Sequence, residues 1–185
     1  MERLVAASTA LLVVDVQEKL AAAMPPATLD ELVKNAGILL ETADALGMRV
    51  LASEQYPKGL GPTVTGIATK LAAMNVTPMP KMAFDACSEL TISRALADAG
   101  AKSVVVIGME AHVCVFQTAR ELVKRGYATY VVADAVASRR DENRRIGLSL
   151  CERAGAIVTA TESVAFDLLE HAGTGAFKAI SKLLR

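Results

Sequence analysis

The chain has no tryptophan, and aromatic residues make up only 4% of it. That scarcity removes the usual stacking platform for single-stranded nucleic acid. It also lacks a surplus of either charge, since Lys+Arg and Asp+Glu each total 20. A protein that works on nucleic acid or an anionic membrane surface carries a basic excess, so neither partner is expected. No apolar run approaches the ~18 residues of a membrane-spanning helix. The first residues, MERLV, lack the basic-then-apolar pattern of a secretory leader. Cysteines are few and odd in number, Cys87, Cys114 and Cys151, without paired metal-type spacing. Free thiols in a reducing cytoplasm are the simple expectation.

What is present is aliphatic. Hydrophobic residues, chiefly Ala, Leu and Val, form 52% of 185 residues, enough for a single domain over residues 1–185 with a real core. Net charge near zero on so apolar a composition favours self-association.

The pattern alternates between strand and helix. Residues 9–16 (TALLVVDV) form a continuous apolar run, the mark of a strand covered on both faces, and it ends at a lone carboxylate, Asp15. After Gln17 and a Pro-containing loop at 24–28, helical spacing of Leu32, Ala36, Leu39, Leu40, Ala43 and Leu46 predicts a helix over 29–46 that stops at Gly47. A second strand is expected at 48–52. The Gly/Pro-dense segment 54–62 then reads as a surface loop near the site. A helix over 64–74 leads to a third strand, 76–81, closed by Lys81; another helix is expected over 89–99. The central strand, 103–107 (SVVVI), feeds residues 108–114 (GMEAHVC) and a helical pattern running to Lys124. A fifth strand at 128–133, a helix to Ala154 capped by Ser138, a sixth strand at 156–159 and two short helices opened by Thr161 and Thr174 complete the chain. The expected fold is α/β: a three-layer sandwich around a doubly wound, mainly parallel six-stranded sheet in Rossmann-like order 3-2-1-4-5-6.

In such sheets ligands bind beyond the carboxyl ends of the strands, where strand order reverses. For this order the crevice lies between the first and fourth strands. Asp15 ends the first strand, Cys114 follows the fourth, and Lys81 ends the third on the same edge. A thiol at a strand-to-helix turn meets free backbone N–H groups and a helix dipole, and these together with an ammonium favour thiolate. The carboxylate can accept and return a proton.

These residues resemble a known family. Asp15 with Gln17 after an apolar strand, Lys81 with Phe84, and the 108–114 segment are similar to the isochorismatase-like cysteine hydrolases, relatives of the nicotinamidases. The resemblance covers residues 8–184, and 55–63 (QYPKGLGPT) further resembles the isochorismatase-domain-containing branch. It implies that Cys114 is the nucleophile, Asp15 the general base, and Lys81 the group that orients the acid. It also implies an oxyanion hole from the backbone N–H groups of Glu110 and Cys114, and a cis peptide joining Met109 to Glu110. Nicotinamidases bind a divalent metal through an Asp and two His near the second strand. This chain has only His112 and His171, neither of them there, so no metal and no cofactor are expected. Isochorismatases proper do not need the cysteine, so its presence favours amide or related acyl chemistry on a small molecule. The family also implies a homo-oligomer, a dimer or tetramer.

Other residues have plainer readings. Cys151 is expected in the core and Cys87 in packing. His112 lies two positions from Cys114 and points elsewhere on a helix, so it is expected to line the pocket or the surface. His171 is expected to cap its helix. Gln17, Tyr56, Phe84 and His112 are the candidate substrate contacts, and Met79 and Met82 should pack in the core or rim. Two other functions fit the same pattern: a binding or interaction protein that keeps the fold, and a thiol redox sensor.

Overall fold

The structure is a computed structural model that describes residues 3–184. Six strands, β1 (Thr9–Val14), β2 (Arg49–Gln55), β3 (Met79–Lys81), β4 (Ser103–Met109), β5 (Ala128–Ala137) and β6 (Ile157–Thr159), form one sheet. Their order is β3-β2-β1-β4-β5-β6 and every pairing is parallel. Among the described residues nine α-helices connect or flank them: α1 (Glu18–Ala21), α2 (Pro26–Ala45), α3 (Pro57–Leu60), α4 (Thr65–Ala73), α5 (Leu90–Asp98), α6 (Phe116–Lys124), α7 (Asp141–Arg153), α8 (Thr161–Leu169) and α9 (Gly175–Leu183). Among the described residues no helix is long and apolar enough to cross a membrane.

Alternation along the central strands sorts the helices into two layers. Leu11 and Val13 of β1, with Val105 and Ile107 of β4, face Leu32, Leu39 and Leu40 of α2 and Ile67 of α4. The intervening Ala10, Leu12, Val14, Val104 and Val106 face Ile92 of α5, Val115, Leu122 of α6 and Cys151 of α7. Both faces are covered, which is why these strands carry no polar alternation. Each fully buried Leu or Val contributes about 1.5–3 kcal/mol over leaving it in water. The short helix α9 is held differently: Ile180 and the partly buried Phe177 close over Ile38 of α2 and Leu169 of α8. Thr174 caps its first turn by accepting from the Phe177 amide at 3.0 Å.

Several boundaries depart from expectation for identifiable reasons. Pro26 starts α2 at its first helical positions, where a missing N–H costs nothing, so the Pro-containing loop is shorter than expected. β2 runs on to Gln55 because Ser53, Glu54 and Gln55 pair with Met79, Pro80 and Lys81. β3 is correspondingly short. β5 extends to Ala137 past an irregularity, where Val106 pairs with Val131 but Gly108 pairs with Val136. Ser138 does not cap the following helix; α7 begins at Asp141 after Arg140, and Ser138 is buried with its hydroxyl turned elsewhere.

Two glycines set how closely the middle of the fold closes. Gly108 has φ 122, and a Cβ there would fall 2.0 Å from the Val14 carbonyl oxygen. Only glycine lets β4 lie against β1 at the last residue before Asp15. A Cβ on Gly147 of α7 would come within 2.5 Å of the Ala111 carbonyl carbon, so that helix rests directly on the backbone after β4.

Candidate active site

Asp15 leaves β1 in a left-handed conformation, φ 51, with its amide donating to the Ser53 carbonyl and its carbonyl accepting from the Gln17 amide at 2.8 Å. The turn drives its carboxylate inward, where it is fully buried. A buried carboxylate needs partners. The Ser53 hydroxyl donates to Oδ1 at 2.8 Å, and the Lys81 ammonium stands 2.8 Å from Oδ2. Lys81 is itself 2% exposed. Its Nζ donates to Gln55 Oε1 at 2.6 Å and to the carbonyls of Ala83 and Phe84, both at 3.0 Å. Those three acceptors match the three ammonium protons. Oδ2 of Asp15 accordingly accepts no directed hydrogen bond, although the positive charge lies against it.

The thiol arrives from the other half of the sheet. After β4, the Met109–Glu110 peptide is cis, and residues Ala111–Val115 make a π-helical turn before α6 begins. The Glu110 carbonyl accepts from both Val113 and Val115, at 3.0 and 3.2 Å. Wide turns of this kind recur at functional sites. Among the described residues the Glu110 amide donates to no backbone carbonyl. The Glu110 carboxylate points away from the thiol: it accepts from the Arg139 amide at 2.9 Å and from Arg139 Nε at 3.1 Å.

Cys114 is 5% exposed and interacts with both Asp15 and Lys81. Burial pushes its thiol up to about 12, the Asp15 charge adds to the rise, and the Lys81 charge opposes it. This differs from the expected ready-made thiolate. Desolvation at so closed a position outweighs one ammonium already neutralised by a carboxylate. The arrangement is a neutral thiol beside a carboxylate that holds an open lone pair.

The structure therefore brings Asp15, Lys81 and Cys114 together, and it separates the other candidates. Gln17 is fully buried and its amide is fully engaged, donating to the Gln55 and Gly61 carbonyls at 3.0 and 2.7 Å and accepting from the Gln55 amide at 2.8 Å. It ties the 56–63 loop to the sheet and has no group left for substrate. His112 lies between Ser138 Oγ, 3.1 Å from Nδ1, and Asn143 Nδ2, 3.4 Å from Nε2. Both ring nitrogens are therefore taken up by these neighbours. The ring thus belongs to the contact with α7 instead of forming a dyad with Cys114. The Tyr56 ring covers Gly59, where a Cβ would meet it at 2.2 Å. Phe84 is half exposed beside its own carbonyl's bond to Lys81, and Met82, expected in packing, is 68% exposed because its carbonyl turns in to accept from Gln55 Nε2.

Cys151 lies in the core, and Cys87 packs on the same side of the sheet as Cys114. Burial pushes both thiols up to about 12; for Cys87 the charges that act next are those of Asp85 and Arg125, away from the Asp15–Lys81 pair. His171 stands at the end of α8, its amide on the Leu169 carbonyl and its Nε2 3.4 Å from Glu170. Among the described residues no three His, Cys, Asp or Glu side chains gather closely enough to hold a metal ion. Sequence reasoning missed Ser53, Gln55 and Arg139. Ser53 and Gln55 carried one signal, alternation on a strand that reaches the site edge.

Comparison with known proteins gives the chain its relatives. Residues 9–163 match the family model described as the isochorismatase domain. Isochorismatase domain-containing protein 2 of Danio rerio is 36% identical over 182 residues, 98% of this chain and 89% of that protein. The secreted isochorismatase effector Isc1 of Phytophthora sojae is 36% identical over 186 residues, covering 99% and 87%. Among solved structures, the MAR1 ribonuclease of Caenorhabditis elegans superposes with a TM-score of 0.91 at 34% identity, covering 99% of this chain and 92% of that one.

Proposed function

This chain belongs to the isochorismatase family, and from that premise we propose that it is a metal-independent cysteine hydrolase that cleaves an amide or related acyl bond of a small molecule. The observation that carries the reading is the Cys114 thiol beside a buried Asp15–Lys81 pair whose Oδ2 accepts no directed hydrogen bond. In the first half-reaction Cys114 Sγ attacks the substrate carbonyl carbon as its proton passes to Asp15 Oδ2. The carbonyl oxygen becomes an oxyanion that receives hydrogen bonds from the Glu110 and Cys114 amides. Asp15 then gives the proton to the departing amine as the C–N bond breaks, which leaves a thioester on Cys114. In the second half-reaction Asp15 takes a proton from water while that water attacks the thioester. The acid product leaves and the proton returns to Sγ. Lys81 stabilises the carboxylate form throughout.

The high resting value of the thiol fits this scheme: the nucleophile is activated at attack by the adjacent base. Phe84 and Tyr56 form the exposed rim that first meets substrate. We assign the protein to the cytoplasm, as a homo-oligomer with neither nucleic acid nor membrane as partner. One relative is named a ribonuclease, so single-stranded RNA belongs in the substrate panel. The balanced charge and scarce aromatics argue for a small molecule.

The test is intact-protein mass spectrometry of wild type and Cys114→Ala after a panel of small amides, esters and an RNA oligomer. A compound that leaves a transient acyl mass on the wild type alone, and is then released as its acid, is the expected result. Cleavage of RNA that persists in Cys114→Ala would overturn the reading.

A further inference from the structure

Lys81 has four acceptors within 3.0 Å and three protons to give. Which acceptor goes without is settled by Gln55. Its side-chain oxygen takes the shortest of the bonds, 2.6 Å, while its Nε2 donates to the Met82 carbonyl at 2.8 Å. An ammonium on one side and a carbonyl on the other fix which end of the amide is oxygen. Its backbone is locked as well, the N–H on Gln17 Oε1 and the C=O accepting from Gln17 Nε2. The Ala83 and Phe84 carbonyls belong to the turn that follows β3, and they fix the other two protons.

We propose that Gln55 is a positioning residue: by holding one Lys81 proton, it makes Lys81 act on Asp15 as a charge and not as a hydrogen-bond donor, which keeps Oδ2 open to receive the Cys114 proton. The proposal rests on the cysteine-hydrolase reading and adds to it the reason why the base stays available. Without the Gln55 oxygen, the freed N–H can turn to Asp15 Oδ2 at 2.8 Å, the charged acceptor beside it, with the Cys114 sulfur also in reach of the ammonium. The titratable groups facing Asp15 are Lys81 from β3 and Cys114 from the π turn; β2 presents the Ser53 hydroxyl. Glu110 is engaged by Arg139, His112 by Ser138 and Asn143, and Glu54 by Thr63.

The experiment follows the rate of Cys114 alkylation by iodoacetamide from about pH 4 to pH 9, in wild type, Asp15→Asn, Gln55→Met and Gln55→Glu, with the modified site read by peptide mass. Wild type should show a low-pH limb that Asp15→Asn abolishes. In Gln55→Met the plateau should fall roughly tenfold, within the range of general-base effects, and the limb should move to lower pH, because an added hydrogen bond favours the charged carboxylate. In Gln55→Glu an acceptor remains on Lys81, so the plateau should fall less. The limb should move to higher pH, because a second carboxylate disfavours the first. Opposite displacement is a signature that loss of packing cannot produce.

Equal slowing of both variants at every pH, with the limb unmoved, would reduce Gln55 to a structural residue and overturn the proposal while leaving the acid–thiol reading intact. A wild-type profile without any Asp15 dependence would sink both. Should Gln55→Met fail to fold, Gln55→Ala removes the same acceptor, and a limb that does not move to lower pH in it overturns the proposal.

Discussion

Asp15 and Lys81 sit in a lattice of directed hydrogen bonds, whereas Cys114, a side chain away, is placed by packing and backbone shape. On the β1–β2–β3 side, Ser53, Gln55, Gln17 and the carbonyls of Ala83 and Phe84 account for nearly every polar atom. On the β4 side the thiol rides on a π turn wedged between a glycine-tight strand contact and α7, with Ala111, Cys114 and Val115 in the apolar cluster. The contrast follows from charge. An ion pair at zero side-chain exposure needs its charges countered and its protons and lone pairs assigned, because an unmet one costs several kcal/mol; here Asp15 Oδ2 alone is left with a facing charge and no directed bond. A neutral thiol has no such requirement and can be positioned by shape alone.

The contrast predicts different responses to damage. The largest is expected from Lys81→Met, which leaves the Asp15 charge buried without its counter-charge and should cost about 3–5 kcal/mol. Urea denaturation measures it. Combining it with Asp15→Asn should recover much of the loss, and failure to recover would mean that the Gln55 lattice, not the charge pair, is what stabilises this side. The thiol side should instead answer to alkali. The Cys114 thiol is raised from 9.0 to about 12, so above pH 9 the unfolded chain releases a proton that the folded chain keeps. Stability contributed by the protonated thiol is full below that value and declines as pH rises from 9 toward 12. Wild type should lose about 1 kcal/mol more than Cys114→Ala on going from pH 9 to 10. Identical alkaline slopes would mean that Lys81 offsets burial and leaves the thiol at its ordinary value, and a smaller loss in wild type than in Cys114→Ala would mean that the thiol is already ionised. The smallest effect is expected from His112→Ala. The ring bonds Ser138 and Asn143, so acyl-enzyme formation should change by less than about threefold, in keeping with a residue outside the chemistry. A larger loss would show that the α7 contact sets the thiol's position as strongly as hydrogen bonds set the carboxylate's.

Much of this was legible before any coordinates. The unbroken apolar run before Asp15 marked a doubly covered strand, and helical spacing from Leu32 to Ala43 marked α2, because both patterns report burial directly. Lys81 and Cys114 could be placed on one edge because strand order alone decides that edge. What escaped depends on contacts between distant segments. β2 continues through Gln55 because β3 pairs with it, so a stretch that reads as the start of a Gly/Pro loop is still strand. Ser138 reads as a helix cap, yet its hydroxyl meets His112 from another element. The state of the thiol was misjudged because local features, a turn and a nearby ammonium, were set against a desolvation that only the packed fold reveals.

The parallel pairing of β1 with β4 has a further consequence, one for the order in which this molecule comes into being. Asp15 and Cys114 meet only when Val14 finds Gly108, a closure across about half of the chain. Long closures of this kind form late and slowly. As the polypeptide emerges from the ribosome, the acid, its serine and its lysine are all synthesised well before the thiol. The acid therefore waits for its thiol, and a nascent or partly unfolded chain carries only an ordinary cysteine, without the arrangement on which the proposed chemistry depends. Reactivity is thus withheld until folding is complete.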